Sequence, residues 1–363
     1  MTRERYSEKE SMNRIVRIFE GKDPPSNDPE TLSGEVLSEN KALSDLVELL
    51  GGSLPNEAMA IPVALRDAIG NAGFFRGWGG GYNLFVDQNH ANASDSNTGF
   101  NSNYPLSTIT QAVTNARAMS GDTIFVLQND GWIYGSGLGD NIVENVTIPA
   151  TKPGLQLIGI CPGAMGVNWS PTGTASFALT IYAIDTRVSG FNFWGDGDGI
   201  YAEWSDPLFG ENCVIENNTF CEGINTAIQL EYVWYAKIRN NHFNEVDEYG
   251  ILTSISGSGM AYAEIKDNWF HECGNAITSG SAMMIDQLEE SLIDGNRIFR
   301  NDALTSGSAV NAGINTENGE NNMISDNYFS CLLCNWDTMN TGNADDAWIN
   351  NHCQDGMTTS TPA

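Results

Sequence analysis

The feature that most constrains this chain is a hexapeptide written six times. It reads "IENNTF" at Ile215 to Phe220, "IRNNHF" at Ile238 to Phe243, "IKDNWF" at Ile265 to Phe270, "IDGNRI" at Ile293 to Ile298, "ISDNYF" at Ile324 to Phe329, and a degenerate "WINNHC" at Trp348 to Cys353. The fourth letter never varies: Asn218, Asn241, Asn268, Asn296, Asn327 and Asn351 hold it, at intervals of 23, 27, 28, 31 and 24 residues. An earlier stretch, "VSGFNF" from Val188, keeps the apolar ends but has Phe191 in place of the amide, so the repeat begins near it. Spacing of this length means stacked structural units. The apolar letters fall in short runs rich in Ile, Val, Phe and Tyr, bounded by Gly, Asn, Asp and Ser, which is the pattern of strands and tight turns. A coil of such strands laid on copies of itself, at roughly 4.8 Å per layer, is a parallel β-helix.

Stacking gives the Asn a role. Its side-chain amide donates to one neighbouring copy and accepts from the other, and Asn tolerates the left-handed backbone needed where a strand bends. A second strand per coil is expected around Ile228 and Ile251, each eight residues after the hexamer's Phe, and around Ile277, seven after.

These residues resemble the right-handed parallel β-helix superfamily, the pectate-lyase-like fold, whose members carry internal Asn ladders. The stretch "YNLFVDQNHANASDSNTGFNSNYPLSTITQAVTNARAMSGDTIFVL" is similar to the opening of many such proteins: an apolar strand, a polar loop, a short helix and a second strand. Ile109, Ala112, Val113 and Ala116 have helical spacing, Ser107 or Thr108 supplies a cap, and Gly121 is the expected stop. The resemblance implies a single-stranded right-handed β-helix over 82–353 with an N-terminal capping helix, and a polar tail at 354–363.

Residues 1–75 differ in kind. Three charged, helix-favouring stretches, each ending at Gly, suggest an adaptor or oligomerisation segment, and the Gly-rich 76–81 a hinge. A helical adaptor ahead of a β-helix resembles virion-associated and tailspike-like proteins of tailed bacteriophages. That resemblance implies other virion proteins as partners through 1–75, a homotrimer, and a virion location reached by host lysis. The N-terminus lacks an apolar stretch behind a basic start, so no secretory signal is expected.

With 46 acidic against 17 basic residues the chain carries a formal charge of -29, which argues against nucleic acid as a partner. No run of apolar residues is long enough for a membrane-spanning helix, so no membrane insertion is expected. Seven cysteines, an odd number, argue against a disulfide framework. No metal site is assigned and no cofactor is expected, with Ca²⁺ the one ion the acidic turns leave open, including the oxygen-rich "DSNTGFNSN" from Asp95.

Two sets of candidate site residues stand out. Glu222, Glu245 and Glu272 each lie two residues after the hexamer's Phe, so an ideal register stacks three carboxylates at one corner, with Asp247 beside them. Such a column is a solvated corner, a cation site or a catalytic pair. Trp194, Trp204, Tyr232, Trp234, Tyr235 and Trp269 form an aromatic group in the middle rungs, suited either to sugar faces or to lateral packing. The expected function is a structural, decoration or fibre protein of a virion, with host glycans as ligands. The alternatives are a tailspike-type polysaccharide depolymerase, hydrolase or lyase, and a cellular β-helix adhesin.

Overall fold

The computed structural model describes residues 81–128, 141–161, 166–203, 212–253, 259–274, 281–285, 287–299, 313–316, 319–330, 345–353 and 356–358. The helical stretches expected over 1–75, the hinge as far as residue 80, Trp204 and Ile277 lie outside the described residues.

The described chain is almost entirely β-structure, coiled into three long sheets, with a fourth, two-stranded parallel sheet formed by Met260–Ala261 and Leu288–Glu289. We number the long sheets in the order in which one coil passes through them. Sheet 1 contains the start of each hexamer and runs through ten strands from Asn83–Val86 to Ala347–Ile349. Sheet 2 holds the end of each hexamer, from Ile142–Val143 to Gly356–Thr358. Sheet 3 has seven strands, from Val146–Ile148 to Ile314–Asn315. Equal letters of successive hexamers are hydrogen-bonded partners: Ile215 aligns with Ile238, Ile238 with Ile265, Ile265 with Ile293, and Ile293 with Ile324. The pairing is parallel throughout, except that Gly356–Thr358, within the stretch expected to be a polar tail, pairs antiparallel with Asn351–Cys353.

The core follows from alternation. Letters one and six point inward, and Phe193, Phe220, Phe243 and Phe270 form a buried file with ring centroids 5.0, 5.0 and 4.3 Å apart. Each fully buried ring contributes roughly 1.5–3 kcal/mol of burial, and the file repeats it rung after rung.

The six asparagines lie in one file between sheets 1 and 2, all buried. From Asn241 onward each side-chain oxygen accepts two bonds from the rung before it, as when Asn268 Oδ1 takes the Asn241 N–H at 3.0 Å and the Asn241 Nδ2 at 3.1 Å. Each Nδ2 also donates back to the first-letter carbonyl of the previous hexamer, Asn268 to Ile238 O at 2.8 Å. The amide is therefore fully used, which removes the ~1–3 kcal/mol cost of an unmet buried polar group. At its start the ladder ends on a backbone group, since the Phe191 N–H donates to Asn218 Oδ1.

Three expectations are corrected. The left-handed residue of this corner is the third letter, not the ladder Asn: Asn217, Asn240, Asp267, Asp326 and Asn350 have φ of 54–55°, and Gly295 has 66°. The turn needs one left-handed residue, and the exposed third letter can take it while the fourth keeps its side chain inward. In sheet 3 the partner of Ile251 is Met283, not Ile277, because the turn after Phe270 is longer than its predecessors. The helix, Ile109–Asn115, is capped by Thr108, whose hydroxyl accepts the Gln111 N–H, but it ends at Ala116, ahead of Gly121. Ala116 leaves the helical region at ψ 140° with its side chain buried, so packing sets the stop.

Candidate functional site

The acidic corner lies between sheets 2 and 3. Glu245 and Glu272 stand on adjacent rungs with left-handed backbones, while the more exposed Glu222 does not share that conformation. Burial pushes the Asp247 carboxyl above its usual range, and the charges of Glu222 and Asp196 push it further. Burial does the same to Asp198, opposed by a bond from the Thr226 N–H and aided by Glu248. The corner is a line of mutually repelling acids: among the described residues no three His, Cys, Asp or Glu side chains form a group able to hold a metal ion. The Asp95 loop is likewise committed to folding, because Asp95 accepts the N–H groups of Ser107 and Thr108 and the Thr108 hydroxyl.

The aromatic residues expected as one group divide between two surfaces. Trp194 belongs to neither as an open platform, since its ring is half-buried and its Nε1 donates to Asn141 Oδ1 at 3.1 Å. Tyr232, Trp234 and Tyr235 lie exposed at the corner between sheets 3 and 1. There they meet Tyr262, which the aromatic group in the sequence did not include. Tyr235 and Tyr262 stack with centroids 5.0 Å apart and planes 16° apart, and Trp234 stands edge-on to Tyr262 at 6.5 Å. The signal was present in the phase of the repeat, because "YAKI" and "YAEI" place both tyrosines three residues ahead of a hexamer's Ile.

Trp269 lies elsewhere, on the outer face of sheet 2. The fifth letter of each hexamer points outward there, lining up Thr219, His242, Trp269, Arg297, Tyr328 and His352 along the axis. His242, Trp269, Phe299 and Tyr328 form a ring-to-ring track with centroids 5.7, 5.4 and 5.7 Å apart. Trp269 and Tyr328 are each 46% exposed, and the Arg297 guanidinium lies 5.9 Å over the Trp269 ring. Among the described residues no strand of sheet 2 carries an Asp or Glu, although the chain has 46. Three of the chain's four histidines are on this sheet. Burial, followed by the nearby His271, lowers the basicity of His242, so its ring favours the neutral form.

A third constellation was not visible in the sequence. Glu203 and Glu231 are register partners in sheet 3, with Tyr201 two residues before Glu203. Burial and hydrogen bonds to Glu231 and Glu203 push the Tyr201 hydroxyl far above the usual phenol range. Gln229 Nε2 donates to Glu231 Oε1 at 2.9 Å and fixes that carboxylate. On sheet 1, Glu216 is nearly buried between Arg187 and Arg239, whose Nε donates to it at 2.6 Å. Burial raises its carboxyl, but the bonds from both guanidinium groups outweigh this and hold it below the usual range. Arg239 and Lys266 are register partners on adjacent rungs, each paired with an acid: Lys266 Nζ lies 2.9 Å from Asp294 Oδ2. The cysteines Cys213, Cys221 and Cys273 are buried thiols pushed up to about 12 by desolvation, packing groups without nucleophilic character.

Residues 115–302 match the family described as periplasmic copper-binding protein (NosD). No curated protein matches the chain. Among solved structures, a PL6 family alginate lyase is similar at 15% identity and a TM-score of 0.30, over 75% of this chain and 38% of that one. A rhamnogalacturonan lyase is similar at 11% identity and a TM-score of 0.30, over 75% and 73%. The Dettilon tailspike protein is similar at 11% identity and a TM-score of 0.26, over 75% and 68%. The chain thus spans little more than a third of the alginate lyase's length.

Proposed function

The chain belongs to the NosD family, a family of right-handed β-helix proteins, and on that premise we propose that it is a glycan-binding shaft. In this reading it is a structural, decoration or fibre component of a bacteriophage-type virion, assembled as a trimer and attached through residues 1–75. The observation that carries the reading is the outer face of sheet 2. A chain of formal charge -29 keeps acids out of every described strand of this sheet and lines it with a continuous row of rings. Rings repeating every rung parallel to the axis suit a linear polymer lying along the shaft, with sugar faces on Trp269 and Tyr328. Acidic corners flank the face through Glu245, Glu272, Asp267 and Asp326, so uncharged glycans are favoured over anionic ones.

The copper named in the family's description does not fit the described residues. His271 Nδ1 is bonded to Asn244 Oδ1 at 3.0 Å and its Nε2 faces Glu272 at 3.8 Å, His242 packs on Trp269, and no third ligand joins them. The function proposed here uses no metal.

Affinity electrophoresis through a panel of neutral polysaccharides tests the reading. At least one should retard the full chain, and the Trp269→Ala/Tyr328→Ala variant should migrate freely in the same gel. Free migration of the unaltered chain through the whole panel would refute the proposal. A second reading, a glycoside hydrolase, is favoured by Tyr201 lying between Glu203 and Glu231. Two carboxyl groups on adjacent rungs stand about 5 Å apart, the separation used by retaining hydrolases. Release of reducing ends that Glu231→Gln abolishes would establish it; unchanged release would exclude this pair.

A further inference from the structure

The left-handed turn position at the corner between sheets 3 and 1 is occupied, rung by rung, by Asp185, Asn212, Tyr235, Tyr262, Glu290 and Asn321, with φ of 55, 69, 57, 54, 45 and 59°. The two early rungs and the last use Asp or Asn, the residues that accept this conformation at least cost, whereas the middle rungs use two tyrosines and a glutamate. The tyrosines gain little burial in return, since each is 43% exposed. A residue that is poor for the backbone and largely outside the core calls for another explanation.

The geometry supplies one. Tyr235 covers one face of Tyr262, and Trp234 forms a wall at its edge. On the next rung Glu290 follows Tyr262 in the column, and Glu289 is the register partner of Ala261, with the Tyr262 N–H bonded to the Glu289 carbonyl. The free side of the Tyr262 ring is therefore one rung, roughly 4.8 Å, from exposed carboxylates. A ring face, an aromatic side wall and an adjacent carboxylate make up the recognition set for an organic ammonium ion. The row of Tyr232, Trp234, Tyr235 and Tyr262 also offers flat faces over two rungs, which suits sugar rings.

We propose that this corner binds a polysaccharide bearing free protonated amines, with an ammonium group held between Tyr262 and Glu290 and neighbouring sugar faces on Trp234 and Tyr235. The site is separate from the sheet 2 track and does not depend on it.

The test is calorimetric titration of the full chain, at mildly acidic pH, with a β-1,4-linked glucosamine hexamer, its fully N-acetylated counterpart and a lysine hexapeptide. The glucosamine hexamer should bind at least about fivefold more tightly than either of the others. Glu290→Gln should abolish that preference, while Glu222→Gln, at a different corner, should leave it intact. Tyr262→Asn should lose binding while raising the thermal midpoint, a combination that a purely structural tyrosine would not give. Equal binding of the N-acetylated hexamer would overturn the proposal, as would equal binding of the peptide. A loss in Glu222→Gln as large as in Glu290→Gln would also overturn it, because general attraction to an acidic chain would then account for the binding. Loss of both amine binding and neutral-glycan binding in Trp269→Ala/Tyr328→Ala would show a single surface where two are claimed.

Discussion

The corner between sheets 1 and 2 and the corner between sheets 3 and 1 share one backbone requirement, a left-handed residue just ahead of the buried turn position on each rung, and meet it with different residues; the second corner adds Tyr232 and Gln287, also left-handed, on two of its rungs. At the first, that position is Asn, Asp or Gly in all six hexamers, and the residue beside it is the buried ladder Asn. At the second, the middle rungs use Tyr235, Tyr262 and Glu290; the residues behind the two tyrosines are Ala236 and Ala263, and a buried polar file runs on from Ser291 through Asn322 to Asp346. The first corner is composed for folding. The second accepts backbone strain of order 1 kcal/mol per residue to hold exposed rings in a row, which is the pattern expected where binding and folding compete.

The largest predicted effect sharpens the folding side. Asn268→Ala removes the acceptor for two Asn241 groups and two donated bonds, so it should destabilise by at least about 3 kcal/mol in denaturant unfolding. A loss under about 1 kcal/mol would mean the ladder is decorative.

Charge extends the comparison. Glu216→Gln leaves Arg187 and Arg239 facing each other without their acid and should cost about 2 kcal/mol near neutrality. The sign follows from the lowered carboxyl of Glu216. Its contribution is present above the ordinary carboxylate range and is lost as pH falls through the lower folded-state value, so the unaltered chain and the variant should converge in acid. A gap in their unfolding free energies that stays constant as pH falls would contradict this.

The smallest effects test the comparison itself by exchange. Asn240→Tyr, which puts a tyrosine into the folding corner, should lower stability by about 1 kcal/mol, and Tyr262→Asn should raise it by a similar amount. Thermal unfolding of the two variants side by side should therefore move the midpoint in opposite directions; shifts of the same sign would break the comparison.

The sequence made the coil and its ladder legible because both rest on inward residues, which every rung must repeat if the core is to close. The left-handed residue was placed one letter late, since Asn occupies both letters in "IENNTF", "IRNNHF" and "WINNHC" and only the backbone distinguishes them. Sheet 3 has no hexamer to fix its phase, and a variable turn precedes it, so Met283 and the Glu203–Glu231 pair could not be aligned in advance. The outward aromatics were found as residue types but not as surfaces. Whether Trp269 joins Trp234 depends on which side of the coil each faces, and that is set by turn lengths, not by composition.

The central claim is that neighbouring letters of one hexamer divide the work, the inward letter holding the shaft and the outward letter binding glycan. The most direct measurement pairs Phe270→Leu with Trp269→Ala, recording unfolding free energy and neutral-polysaccharide retardation for each. The account predicts that the Phe270 variant loses about 1 kcal/mol or more and still binds, while the Trp269 variant keeps its stability and loses retardation. The reverse pattern, or loss of both properties in both variants, would contradict it.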